Sequence, residues 1–470
     1  MRSTSRSGRV VSIVLLLGLS IALILPLYSV VKVAFQADGQ WSFDNVSRFL
    51  NAPGMSKSIV NTVVITVFTG LLSTVLGVVL ATSAVLLPSG RVMRRLYEVI
   101  PLVPLTVPAI VGALGWLFLL SPRNGWLNIV VRWLVRSDSD VGPFNAFSLV
   151  TVVFVTSLYV VPFVYTVVAA SLRRVNSEGL EAMLIYGSTP LQMLRQSITG
   201  SLRPALFAAG TLAFVNAISM FSVPLILQVD VLTTYIYRNA TVVGNPGLAA
   251  IASMPLLVIS LALSTFQLSL MRKSTRFATV TGKGTLGRKV SLGRGLDRVF
   301  KSFSVLYLFL TGILPLGAVA LVSLLPFWKS RFSISDLSLD QYRAVLDNRQ
   351  VINGFQNSLR LGIFCAIGAV VLAVLILLFS DRLRDPFGRA AFAVGNLPLG
   401  VPIVVLGLGF LSAFIGPPIV LYGTIWLLIL AYLVCFLPLA MRNVGPVMSQ
   451  VSWSSKRPQW SMGARSAVRP

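Results

Sequence analysis

Histidine is absent from the 470 residues, cysteine occurs twice, and Asp and Glu together number only 14. The missing imidazole removes the commonest metal ligand and the side chain that most readily moves protons near neutral pH. Cys365 and Cys435 both sit in apolar runs, which argues against a disulfide framework or a thiolate metal site. No acidic pair or nucleophile cluster stands in for them, so catalysis by this chain is not expected. Charge of either sign is scarce: 11% of residues are charged, against about a quarter in a soluble globular chain.

What fills the sequence instead is apolar, at 55% of residues. A membrane-spanning helix needs roughly 20 such residues in a row. Ten runs qualify, at about 11–35, 58–87, 98–121, 147–171, 204–228, 248–271, 302–327, 357–380, 389–414 and 419–441. Lipid offers the backbone no hydrogen-bond partner, so each run is expected to be a helix. The predicted fold class is therefore an all-α polytopic membrane protein. The first run follows "MRSTSRSGR" but is too long for a cleaved signal peptide, holds Pro26, and lacks a clear small-residue cleavage site.

The net charge of +25 orients the chain. With the N-terminus inside, the inner segments 1–10, 88–97, 172–203, 272–301, 381–390 and 442–470 hold 27 of the 39 Lys and Arg. This is the positive-inside bias, and it needs no nucleic-acid partner. The segment 272–301 carries nine basic residues, one acidic residue and five glycines, and reads as a cytoplasmic linker whose charges can touch anionic headgroups. Its fragment "GKGTLGRK" lacks the spacing and strand–helix setting of a phosphate loop. ATP hydrolysis by this chain is not expected.

The segments on either side of the linker repeat one another. "IVNTVVITVFTGLLSTVLGVVLA" at 59–81 pairs with "FQNSLRLGIFCAIGAVVLAVLIL" at 355–377, "VPAIVGALGWLFL" from Val107 with "VPIVVLGLGFLSA" from Val401, and "LYVVPFVYTVV" with "AYLVCFLPLAM". Order, spacing and polarity agree across three spans, as in duplicated transporters. The domains read as 1–271, a first half of six spans; 272–301, the linker; 302–453, a second half of four spans; and 454–470, a basic patternless tail.

The longest inner segment of the first half, about 172–203, contains "EAMLIYGSTPLQMLR". A short helix through Glu181 and Met183 is expected to break at Gly187. A second should start with Thr189 as N-cap and Pro190 as first helical residue, with Leu191, Leu194 and Ile198 on one face. An amphipathic helix–turn–helix of this kind docks onto a partner.

This stretch resembles the E-A-A-x-x-x-G loop of binding-protein-dependent ABC importer permeases. Glu181, Ala182 and Gly187 match the pattern, while Met183 replaces the second alanine and Thr199-Gly200 stands where the family has Leu-Pro. The resemblance covers nearly the whole chain to about 453. It implies tandem homologous permease halves, twelve helices when complete, in a bacterial cytoplasmic membrane with the N-terminus cytoplasmic. It further implies docking of two ATPase subunits, which bind ATP and Mg, on loops carrying Glu181, Ala182, Gly187, Thr189 and Pro190. An extracytoplasmic solute-binding protein would deliver a small polar solute. Double-length permeases of this kind look most like those for ferric iron, then 2-aminoethylphosphonate and thiamine. No cofactor or metal is expected in the chain itself.

Duplication predicts a second such loop with Glu near position 457 and Gly near 463, where the sequence has Arg457 and Gly463. Reading G/C-ending codons for Ser455–Gly463 one base earlier gives Leu-Glu-Glu-Ala-Ala-Val-Glu-His-Gly. The expectation is a frameshift near codon 454, two absent final spans, and a product inactive in transport.

An ion- or proton-coupled secondary transporter is the competing class. Such proteins place ionisable residues inside spans, whereas here Glu98 and Arg360 lie at span edges. Asn61, Asn216, Ser219 and Asn396 are candidates to line the solute pathway, although such residues also join helices to one another. The segments 121–140 and 331–350 are candidate binding-protein contacts.

Overall fold

The computed structural model describes residues 6–37, 40–173, 183, 185–189, 192, 202–276, 291–382, 385–417 and 419–454. Outside the described residues lie Glu181, Ala182, Pro190, the Leu191/Leu194/Ile198 stripe, residues 277–290 of the linker and the tail 455–470.

Helix dominates, as the apolar runs require. Among the described residues eight helices are long and apolar enough to cross a membrane, or ten where each of two bent helix pairs is taken as one span. They coincide with the ten runs. In chain order the elements used below are α1 (Arg6–Ala34), α2 (Met55–Val85), α3 (Arg91–Val99), α4 (Ala109–Leu120), α5 (Leu149–Leu172), α6 (Arg203–Ile218) and α7 (Leu232–Thr241). They continue with α8 (Pro246–Arg276), α9 (Arg294–Leu308), α10 (Leu314–Ser323), α11 (Arg349–Leu377), α12 (Pro386–Asn396), α13 (Ile403–Phe414) and α14 (Ile425–Ser454). An antiparallel ladder of two residues per strand, Gln36–Ala37 with Gln40–Trp41, follows α1.

The two bends fall at the repeated Val-Pro landmarks. Arg91–Leu105 and Ala109–Leu120 meet at 91°, and Pro386–Gly400 and Ile403–Phe414 at 113°. Proline crowds the residue before it out of the helical region, and Val107 is extended at φ −102°, ψ 118°.

The chain forms two compact units. The larger holds 28–354 and 400–412; the smaller holds 1–27, 355–399 and 413–470. Between helices in lipid there is little hydrophobic drive, so close approach of small residues has to supply the packing. In the larger unit a Cβ on Gly77 would lie 2.5 Å from Val164 of α5, and one on Gly70 would lie 2.7 Å from the Phe214 ring of α6. The first span of the second sequence half, α9–α10, is built into this unit. Tyr307 Oη donates to the Leu158 carbonyl at 2.7 Å, Ser304 Oγ donates to Ser83 Oγ at 3.0 Å, and Gly115 lies against the Pro315 backbone. Reciprocally, the first span of the chain belongs largely to the smaller unit. Leu19 of α1 packs in a buried cluster with Ala373, Ile376, Ala391, Leu437 and Met441. Ser12 Oγ donates to Asp385 Oδ2 at 2.7 Å.

One face differs between the repeated helices α2 and α11. Asn61, Thr62 and Thr66 are buried, whereas Asn357, Ser358 and Gly362, their counterparts in register, are exposed. Within the smaller unit, α11 and α14 flank a groove of about 450 Å³ lined by Ser358, Gly362, Cys365, Ala369, Tyr432 and Phe436.

Candidate coupling loop and pathway residues

The loop that follows α5 is set by two local devices. Met183 and Ile185 are helical, and Gly187 takes φ +79°. The Ser188 amide donates back to the Met183 carbonyl at 2.9 Å, the six-to-one bond of a Schellman C-cap. Nothing lies within 4 Å of a Cβ built on Gly187, so the glycine answers a backbone requirement, not a crowded one. The next helix starts two residues later. Thr189 N–H donates to Gln192 Oε1 at 2.8 Å and Gln192 N–H donates to Thr189 Oγ1 at 3.3 Å, a reciprocal capping box.

The turn presents a feature that the motif did not single out. Ile185 is 83% exposed and Tyr186 is 89% exposed, so two large apolar side chains stand outward just before the glycine. Met183 turns the other way and packs with Leu86 and Phe300 against the buried pair Leu87 and Leu292. That cluster fastens the loop to the residues that follow α2, to the segment preceding α9 and to α9 itself. The adjacency of Ile185-Tyr186 to a capping glycine is a readable signal; the Leu87–Leu292 contact, over two hundred residues apart, is not.

The four pathway candidates fall in different settings. Asn61 is buried and donates through Nδ2 to the Asp230 carbonyl at 2.8 Å, while its neighbour Thr62 accepts from the Leu232 amide at 2.8 Å. Together they hold the start of α2 to the start of α7. Asn216 Nδ2 donates to the Leu212 carbonyl at 2.8 Å within α6, and Ser219 is the C-cap of that helix. Asn396 Nδ2 donates to the Phe392 carbonyl at 2.8 Å within α12. Asn216 and Ser219 thus share one helix end in the larger unit, and Asn396 belongs to the smaller one.

The segment between α4 and α5 is organised by a residue that sequence reading missed. Asn128 is fully buried. Its Nδ2 donates to the carbonyls of Ser121 and Phe144 at 2.8 and 2.9 Å, and its Oδ1 accepts from the Phe144 amide at 2.9 Å. One side chain therefore closes the loop between α4 and α5. Beside it, Trp126 Nε1 donates to the Lys329 carbonyl at 3.3 Å, and Lys329 Nζ pairs with Asp336 at 2.7 Å. The Lys329 ammonium, with the Ser333 amide, holds the Asp336 carboxyl below the usual range. Among the described residues no group of three or more His, Cys, Asp or Glu side chains could hold a metal ion.

Residues 73–276 match the family of binding-protein-dependent transport system inner membrane components. A probable ABC transporter permease protein, y4fN, of Sinorhizobium fredii is 23% identical over 99% of this chain and 84% of its own length. A putative ferric transport system permease protein, FbpB 1, of Haemophilus influenzae is 24% identical over 84% of this chain and 62% of its own. The Fe(3+)-transport system permease protein FbpB 2 of the same organism is 24% identical over 79% and 66%. The chain spans less than two thirds of the length of these two ferric-transport relatives.

Proposed function

The chain is a permease of the binding-protein-dependent ABC transporter family, and from that premise we propose that it is the membrane-spanning subunit of an ATP-driven importer. Its cargo is a small polar solute, and ferric iron is the one we favour, in keeping with the names of several relatives. The observation that carries the reading is the inner loop: a turn fixed by Gly187 and the Thr189–Gln192 box, with Ile185 and Tyr186 held out of the protein. Two large apolar side chains exposed side by side at a capped turn suit a partner with a matching groove.

In the mechanism this implies, two separate ATPase subunits bind ATP and Mg and close. The inner loop, in which Glu181 and Ala182 match the family pattern, transmits that closure to the spans. A binding protein delivers solute to the outer segments organised by Asn128. Nucleotide drives the switch only through its differential affinity for the two states of the spans. The N-terminus is cytoplasmic.

The test is reconstitution of the chain with its cognate ATPase and binding protein in proteoliposomes, measuring uptake of radioactive ferric iron. ATP-dependent accumulation would support the importer reading and overturn the expectation of a transport-inactive product, and accumulation driven by an ion gradient without ATP would overturn the importer reading. ATP-dependent uptake of another solute in preference to iron would overturn the cargo alone. The double variant I185A/Y186A is expected to lower ATPase co-purification at least tenfold while leaving the permease folded.

A further inference from the structure

The start of the second half carries a basic cleft that the transport reading does not use. It has a volume of about 580 Å³ and is lined by Tyr97 of α3 and by Arg294, Asp297, Arg298, Lys301, Ser302 and Val305 of α9. On α9 the positions 294, 298, 301/302 and 305 fall on one stripe by helical spacing. The stripe begins cationic and ends apolar: Val305 is exposed, as are Leu306 and Phe309 beyond it. The facing helix α3 adds exposed Val92, Met93, Leu96 and Val99.

The cations have few partners of their own. Among the described residues neither Arg294 nor Arg298 has a carboxylate within ion-pair distance. The one carboxylate in the cleft is turned away from them: Asp297 accepts from Ser291 Oγ at 2.7 Å and from the Leu292 amide at 2.9 Å. Lys301 Nζ donates to the Pro88 carbonyl at 2.6 Å, which fixes its ammonium at the cleft wall. Two guanidiniums without a carboxylate partner among the described residues, each able to fork onto phosphate oxygens, therefore stand one turn apart above an apolar track.

We propose that this cleft binds the phosphate headgroup of an anionic phospholipid of the surrounding bilayer. Arg294 and Arg298 hold the phosphate, and Val305 begins the track for the acyl chains. The order along the stripe is the order along such a lipid, charge first and then hydrocarbon. A free phosphate or a soluble nucleotide would use the cations but not the exposed apolar row that continues from them. The position suits a lipid because segments 88–97 and 272–301 both lie on the cytoplasmic side in the orientation proposed above, where anionic headgroups attract basic residues. The inference rests on that orientation and not on the transport cycle, so failure of ATP-driven uptake leaves it standing.

The experiment is native mass spectrometry of the full chain released from membranes in detergent and titrated with dioctanoyl phosphatidylglycerol or dioctanoyl phosphatidylcholine. Preferential retention of phosphatidylglycerol is expected. The pair R294Q/R298Q should weaken it by roughly 25-fold, at about fivefold per cation removed near a lipid surface. R294K/R298K, which keeps both charges, should stay within a few-fold of the parent, and R331Q/R343Q in the outer segment should change nothing. Equal retention of the two lipids by the unmodified chain would overturn the proposal, and this measurement needs no variant to fold. Unchanged retention in R294Q/R298Q would also overturn it. So would displacement of phosphatidylglycerol by inorganic phosphate at comparable concentration, which would make the cleft a site for free anions.

Discussion

Gly187 shows how much a single residue can demand. At φ +79° with open space around it, alanine would meet no clash but would occupy the left-handed region, at a cost of roughly 1–2 kcal/mol. G187A is therefore expected to leave the spans intact and to loosen the inner turn, read as a several-fold drop in ATPase co-purification. Asn128 has the opposite character, since its value lies in its partners. N128A would strand the Phe144 carbonyl and amide and remove one of the two bonds to the Ser121 carbonyl, which keeps the Gly125 amide, each bond worth about 1 kcal/mol. A loss of about 2–3 kcal/mol in thermal unfolding, with earlier proteolysis of 121–146, is expected. Asp336 gives a pH dependence. Its folded pKa lies below its usual value because of Lys329 and the Ser333 amide, so its contribution is complete above the unfolded carboxyl pKa of about 3.9. It disappears as pH falls through the folded value. Hydrogen exchange over 329–337, corrected for intrinsic rates, should be steady from neutral pH down to about 5 and rise on further acidification, whereas D336N should lack that acid step.

At the scale of the helix, proline and glycine decide geometry. The Val-Pro pairs at 107–108 and 401–402 were legible as repeat landmarks, and the bends they cause follow from the steric rule for residues before proline. The glycine seams were not legible, because a glycine in an apolar run gives no sign of which neighbour it admits. Gly115 is the sharpest case: a Cβ there would sit 2.3 Å from the Pro315 carbonyl oxygen, and backbone cannot step aside. G115L is expected to cost about 1–3 kcal/mol by overpacking and to shift α10 away from α4. The readout is thermal stability in detergent, with G317L as the control, since no atom lies within 4 Å of a Cβ at Gly317. Asp385 caps α12 by accepting from the amides of Phe387 and Gly388 while it accepts from Ser12. This couples a helix start to the first span of the chain.

Over the whole molecule, the charge distribution and the packing answer different questions. Lys and Arg are concentrated in the segments that the proposed orientation places inside. With Cys365 and Cys435 replaced by alanine, S139C is expected to react with a membrane-impermeant maleimide in cells whose outer membrane is permeabilised, and S302C only in inverted vesicles. Reaction of S302C from outside would reverse the proposed orientation. The exchange of first spans, with α9–α10 in the larger unit and the start of α1 in the smaller, has no counterpart in the charge pattern.

The membrane-spanning runs, their helical state, and the turn at Gly187 with its following N-cap were determined by the sequence itself. Each rests on a local rule: a run length, a backbone without partners in lipid, a residue that tolerates positive φ, a side chain that reaches three residues ahead. Where the first span of each half goes, which hydroxyls join α2 to α9, how Leu87 and Leu292 anchor Met183, and how Arg294 and Arg298 come to stand over an apolar row were decided by tertiary structure alone. Those features arise from contacts between residues far apart in the chain. In an apolar helix many faces are chemically alike, so only the packed arrangement selects which one is used.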